Sequence, residues 1–282
     1  MPIVISTESC SDVSEENKRK YGIYSVPMHV VFPNRECDDG AIDVQEVYDY
    51  FNKTKHVPKT SAVNPEEFKA FFRHIMSEVP SAHIIHIGYS SLASSTYANA
   101  ALAVAEFDNV SLIDSLNVSG GAGAVTLWGA RELRKNPDIT PEELVKSIRN
   151  VVPKVKTCFV PDKLEYLVAG GRCSNASALL ASVLRIKPRI DIINGKLIAT
   201  KKYRNTIGKF YEKLIDDFCE NEVFDMSKAY VIYTLGSNMN IIKKMQELLL
   251  QKGFEDAEPV MTGSVMATHG GEGAVGLVII RK

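Results

Sequence analysis

The chain has 282 residues, 45% hydrophobic, 24% charged and 8% aromatic, which describes an ordinary globular protein and excludes a disordered or fibrous one. Lys+Arg 33 against Asp+Glu 34 leaves a net charge of -1, so no global field favours nucleic acid or an anionic membrane. The length suggests two domains, and no apolar run reaches the roughly 18 residues of a membrane helix. The opening Met-Pro-Ile-Val-Ile-Ser-Thr-Glu reads as a buried strand rather than a signal peptide, so the expected location is the cytoplasm. Cys10, Cys37, Cys158, Cys173 and Cys219 are scattered, without a Cys-x-x-Cys pair or a histidine at zinc spacing. They read as reduced structural thiols, and no metal is expected.

In chain order, strands are expected at Ile3–Ser6, Gly22–Val31, His83–Gly88 and Val110–Asp114, with amphipathic helices between them. Asn64-Pro65-Glu66-Glu67 supplies an N-cap, a first-turn proline and two carboxylates at a positive helix end. Phe68, Phe71, Phe72, Ile75 and Met76 then share one buried face. Thr140-Pro141-Glu142-Glu143 starts a second such helix with a capping box. After Pro153 strands become more frequent: Val155–Val160, Arg189–Ile193, Lys196–Thr200, Ala229–Leu235, Glu258–Met261 and Ala274–Ile280. Asn194-Gly195 signals a two-residue hairpin, which requires antiparallel neighbours. The expected fold class is therefore α/β in two domains. Residues 1–152 form a parallel three-layer α/β/α unit and residues 153–282 a mixed-sheet α/β unit, packed together because no low-complexity linker separates them.

Ligands of open parallel sheets bind at the carboxyl ends of strands. Those ends are rich in hydroxyls here: Ser6-Thr7-Glu8-Ser9, Tyr89 through Thr96, and Ser115 running into Ser119-Gly120-Gly121-Ala122-Gly123, with Thr60-Ser61 just before another helix. Any single serine is explained as a cap or turn residue. Four clusters at one sheet edge point to a site for an anion such as a carboxylate or phosphate. Thr268-His269-Gly270-Gly271-Glu272-Gly273 reads as a glycine loop in which packing explains a histidine poorly, which points to a ligand role for His269. Gly170-Gly171-Arg172 and Lys201-Lys202-Tyr203-Arg204 add cationic spots. Ser94, Asp114 and His269 follow the chain order of an α/β-hydrolase triad, but Gly88-Tyr89-Ser90-Ser91-Leu92 lacks the second glycine of the nucleophile elbow. Neither a P-loop nor a dinucleotide fingerprint is present.

Taken in order, these motifs resemble those of the DegV family of bacterial fatty-acid-binding proteins over nearly the whole chain. Thr7-Glu8-Ser9-Cys10-Ser11-Asp12-Val13 is similar to the family's opening pattern, and Val26-Pro27-Met28 and Thr60-Ser61-Ala62-Val63-Asn64-Pro65 to its next two segments. Ser90-Ser91-Leu92-Ala93-Ser94-Ser95-Thr96-Tyr97 resembles its Ser-Gly-Thr-Tyr signature, and Asp114-Ser115, Gly170-Gly171-Arg172, Arg204 and the His269 segment follow in register. The resemblance implies a two-domain DegV-like fold and a fatty acid carboxylate held by Thr60, Ser61, Ser94 and His269, with the acyl chain in an apolar tunnel of the first domain. It implies that Arg172 and Arg204 dock, or assist phosphotransfer by, a partner kinase. The expected protein is a carrier without chemistry or cofactor of its own. It would present a long-chain fatty acid to the catalytic subunit of an ATP-dependent fatty acid kinase, with acyl phosphate feeding phospholipid synthesis. Transient contact with a membrane surface is expected, and nucleic acid is not. The alternatives are the substrate subunit of a dihydroxyacetone-type carbonyl kinase and a lipid sensor without a kinase. Glu8, Cys10 and Ser95 depart from the family's aspartate, hydroxyl residue and glycine.

Overall fold

In the computed structural model, which describes residues 1–173, 186–204 and 210–282, the first strand lies inside a parallel sheet. Strands β1 (Ile3–Glu8), β2 (Tyr24–Val26), β6 (His83–Gly88) and β7 (Val110–Asp114) form that sheet in the order β2-β1-β6-β7, every pairing parallel. Successive strand residues serve opposite faces. Val4 and Ile84 pack with Phe68, Phe72 and Ile75 of α3 (Pro65–Glu78) and Ala100 of α4 (Thr96–Val104). Ile5, Ile85 and Ile87 pack instead with Val125 and Leu127 of α5 (Gly120–Lys135) and Leu144 and Ile148 of α6 (Pro141–Val151). This is the expected α/β/α layering. Both capping boxes form, at Asn64 with Glu67 and at Thr140 with Glu143.

The expected strand Gly22–Val31 is two strands in two sheets. Pro27 carries no N–H and interrupts the ladder. After it, β3 (His29–Phe32) joins β4 (Arg35–Asp38) and β5 (Lys59–Ser61) in a small antiparallel sheet, with α2 (Val44–Thr54) between β4 and β5 in sequence.

The second half is one six-stranded sheet ordered β10-β9-β8-β13-β11-β12, built from β8 (Val155–Val160), β9 (Ile186–Ile193), β10 (Lys196–Arg204), β11 (Phe224–Tyr233), β12 (Ala257–Met261) and β13 (Val275–Arg281). All pairings are antiparallel except β11 with β12. Asn194 at φ 48 and Gly195 at φ 81 make the β9–β10 turn with two left-handed residues, as an Asn-Gly hairpin requires. One face of the sheet is covered by α8 (Phe210–Cys219) and α9 (Met239–Gln251) around Leu214, Phe218, Met245 and Leu277. The other face meets the first half. Ile190, Ile192 and Leu197 join the cluster of Phe68 and Phe72, and Tyr230, Ile232 and Val278 join that of Ile5 and Ile87. The two halves thus share continuous apolar cores. Two short helices, α7 (Leu164–Gly170) and α10 (Ser264–Gly270), lie at this seam. None of the five cysteines, all among the described residues, is in a disulfide. Among the described residues no group of side chains is placed to hold a metal, and no helix is long and apolar enough to cross a membrane.

Candidate functional site

A cavity of about 900 Å³, counting space that opens to solvent, lies between the halves. Val265, Met266, His269 and Gly270 line it from one face of α10, with Thr262 just ahead of the helix, so this segment forms one wall. Met28, Tyr89 and Val118 face it from the first half, and Cys158, Phe159, Val275 and Gly276 from the central strands of the second sheet. The tunnel was expected inside the first domain. The cavity instead draws on both halves, because α3, α4, α5 and α6 already fill the two faces of the parallel sheet with fully buried side chains.

First-half carboxylates fix α10 in place. Asp39 Oδ1 accepts from Ser264 N (2.8 Å), Ser264 Oγ (2.7 Å) and Val265 N (3.2 Å), a cap supplied from a distant part of the chain. Asp12 Oδ1 accepts from Gly263 N at 2.8 Å and its Oδ2 accepts from Ser119 Oγ at 2.5 Å. Burial pushes Asp12 up to about 8 against the pull of these two donors. His269 therefore belongs to the last turn of a helix, not to a glycine loop; Gly271 and Gly273, with φ 75 and 79, end the helix behind it.

The Gly-Gly-Arg segment is explained by His269. A Cβ on Gly170 would stand 2.4 Å from His269 Nδ1, so only glycine leaves room for the ring. Gly171 then turns the chain at φ 65, and Arg172 follows, its Nη1 donating to Gly170 O at 2.6 Å. His269 Nε2 lies 2.9 Å from Thr60 Oγ1, whereas its Nδ1 is buried without a hydrogen-bond partner among the described residues. Burial and the nearby Arg172 charge lower the histidine from 6.5 to about 4, so the ring is neutral at pH 7 and does not act there as an imidazolium.

Of the expected carboxylate ligands, Thr60, Ser94 and His269 all line the cavity. Ser61 does not. It follows Thr60 on β5, where neighbours point to opposite faces, and its hydroxyl donates to Glu36 Oε1. Ser94 Oγ accepts from Thr96 N at 3.2 Å, which leaves its own proton available to an anion in the cavity. Arg172, expected outside the tunnel, lines the cavity beside His269. Arg204 ends β10 with its backbone opposite Ile186, and its side chain lies outside the described residues.

The three departures have local explanations. Glu8 Oε2 accepts from Tyr89 N at 2.9 Å, at the start of the loop that carries Ser94, and its Oε1 lies 3.4 Å from the buried His86. The Cys10 thiol donates to Met28 Sδ at 3.0 Å, behind the cavity wall. Ser95 sits at φ -73 and ψ -7, an ordinary helical conformation that does not require glycine. Sequence reasoning did not single out Asp12 and Asp39 as anchors of α10, the fit of Gly170 to His269, or Thr262 on the wall. The left-handed Gly171 next to Gly170 was the one visible signal of a special backbone there.

The arrangement suits a ligand with one carboxylate and a long apolar body. The neutral His269 imidazole touches Thr60 with Arg172 nearby, Ser94 lines the same cavity, and most of the remaining wall is apolar. A family model described as "Uncharacterised protein, DegV family" matches residues 2–282. The chain belongs to the DegV family. A curated relative from Thermotoga maritima, named fatty acid-binding protein, is 30% identical over 99% of this chain and 98% of its own length. The solved structure of DegV from Bacillus subtilis, described as a fatty acid binding protein, is 28% identical, covers 100% of both chains and superposes with a TM-score of 0.82. A DegV family protein from Thermus thermophilus, at 24% identity and 100% coverage of both chains, shares the DegV fold with a TM-score of 0.87.

Proposed function

We propose that this DegV-family chain binds one long-chain fatty acid and presents its carboxylate to a separate ATP-using fatty acid kinase, which makes the acyl phosphate used for phospholipid synthesis. The observation that carries the reading is a mainly apolar seam cavity in whose wall Thr60 and His269 touch, with Arg172 beside them. Relatives at 28–30% identity named for fatty acid binding support it. Burying one methylene contributes about 0.8 kcal/mol, so a long acyl chain gains on the order of 10 kcal/mol before ordering costs. A carboxylate left unpaired in the cavity would cancel much of that gain. Thr60 and Ser94 as donors, with Arg172 as the charge, solvate it. Arg172 is exposed at its outer side, where a partner protein can reach the same headgroup. A carbonyl-kinase subunit needs a small polar pocket centred on the histidine. Here the cavity wall that His269 joins is mainly apolar, which favours the carrier.

The test is to denature the purified protein, identify the released lipid, and incubate the loaded protein with ATP and a fatty acid kinase catalytic subunit. Release of a fatty acid and its conversion to acyl phosphate are expected. Release without conversion would leave a lipid sensor, and no lipid uptake at all would overturn the carrier.

A further inference from the structure

We propose that the cavity holds a second polar subsite, at Thr262 and Ser119, that takes a hydroxyl group carried part-way along an acyl chain. The ligand class it selects is the mid-chain hydroxylated fatty acid. The inference rests on the fatty-acid reading above and adds a specificity to it.

Thr262 is 5% exposed and lines the cavity, yet its hydroxyl finds no hydrogen-bond partner among the described residues. Other hydroxyls of the wall are engaged. Thr157 Oγ1 donates to Asn117 Oδ1 at 2.7 Å, Thr234 Oγ1 to Gly271 O at 2.7 Å and Ser119 Oγ to Asp12 Oδ2 at 2.5 Å. A buried hydroxyl in native structures is normally satisfied, and a plain alkyl chain laid against Thr262 offers it nothing.

The neighbouring groups define what would satisfy it. Asp12 binds Ser119 through one oxygen and the N–H of Gly263, the residue after Thr262, through the other, so Ser119 and Thr262 flank the same stretch of wall. Ser119 Oγ, bonded to Asp12, keeps a lone pair for a further donor whichever of the two holds the shared proton. Thr262 still has its proton to give. An alcohol both donates and accepts, so one hydroxyl accepts from Thr262 and donates to Ser119. Thr262 lies two residues before α10 and His269 in its last turn, so an extended step through Gly263 and about one and a half helical turns separate them, on the order of 10 Å. A chain whose carboxylate is at His269 therefore meets the subsite near its middle and not at the carbon beside the carboxyl group.

The experiment titrates delipidated full-length protein with stearic acid, with stearic acid hydroxylated near mid-chain, and with α-hydroxystearic acid. The mid-chain hydroxy acid is expected to bind about tenfold more tightly relative to stearic acid than it does in Thr262→Val, which keeps the shape and removes the hydroxyl. Thr262→Ser should keep the preference, and α-hydroxystearic acid should show none. Stearic acid binding with an unchanged hydroxy preference in Thr262→Val, or with no preference in the native protein, overturns the subsite alone. Failure of all three acids to bind overturns the fatty-acid reading with it.

Discussion

Gly170→Ala is the sharpest perturbation of the proposed headgroup site, because the added methyl would meet the His269 ring. Gly170 closes α7 without a positive φ, so alanine is compatible with the backbone, and helix propensity alone would favour it by about 1 kcal/mol. The added methyl would stand 2.4 Å from Nδ1, 3.3 Å from Cε1 and 3.5 Å from Cγ of His269, and a contact below 3.0 Å does not persist, so the ring must move. Overpacking of this kind costs about 1–3 kcal/mol. The displaced ring also loses its 2.9 Å contact with Thr60, and with it one hydrogen-bonding group of the carboxylate site. A hydrogen bond to a charged group is worth about 1.5–3 kcal/mol, or ten- to a hundredfold in affinity. Gly170→Ala should therefore weaken fatty acid binding by that factor, with net stability changing by no more than about 2 kcal/mol. Calorimetric titration of delipidated protein and thermal unfolding measure the two effects separately. Native affinity together with an unshifted His269 imidazole resonance would refute the steric argument.

Ser94→Ala and His269→Ala should each weaken a fatty acid ten- to a hundredfold, less than additively because both serve one carboxylate, and should spare the fatty alcohol of equal length. Equal loss for acid and alcohol would mean that they shape the cavity. Ser61→Ala should leave affinity within about twofold, since its hydroxyl bonds Glu36 away from the cavity; a tenfold loss would contradict that placement. His269, held at about 4 against an ordinary 6.5, favours the fold in its neutral form. Its contribution, on the order of 2–3 kcal/mol, is complete above pH 6.5 and is lost as the pH falls from there towards 4. Imidazole NMR titration should show this depressed value, and Arg172→Ala should raise it by removing a repulsive charge; no change would separate the two side chains.

Local signals carried the elements that depend on local chemistry. Both capping boxes form where Asn64 and Thr140 announce them, and Val155–Val160, His83–Gly88 and Val110–Asp114 are strands with the expected limits. The Asn194-Gly195 hairpin needs only its two turn residues. Elements defined by distant partners were illegible. Strand β3 leaves its expected sheet to pair with β4 and β5, and α10 is read as a loop because its N-terminal cap, Asp39, comes from the other half. The candidate site shows the same division. Hydroxyl clusters after a strand and before a helix, together with the family resemblance, marked Ser94 and Thr60, but the orientation that separates Thr60 from Ser61 follows from β5, which the sequence did not reveal. The role of Gly170 depends on His269, far along the chain, and no local pattern encodes that contact.

The central claim is that the seam cavity holds the acyl chain of one fatty acid per chain. Intact mass analysis under native conditions tests it most directly, on the protein as purified and after delipidation and reloading with oleate or palmitate. The account predicts a single added mass in the range of a long-chain fatty acid, restored on reloading and reduced in Gly170→Ala. A chain that is repeatedly ligand-free and takes up neither acid would contradict it.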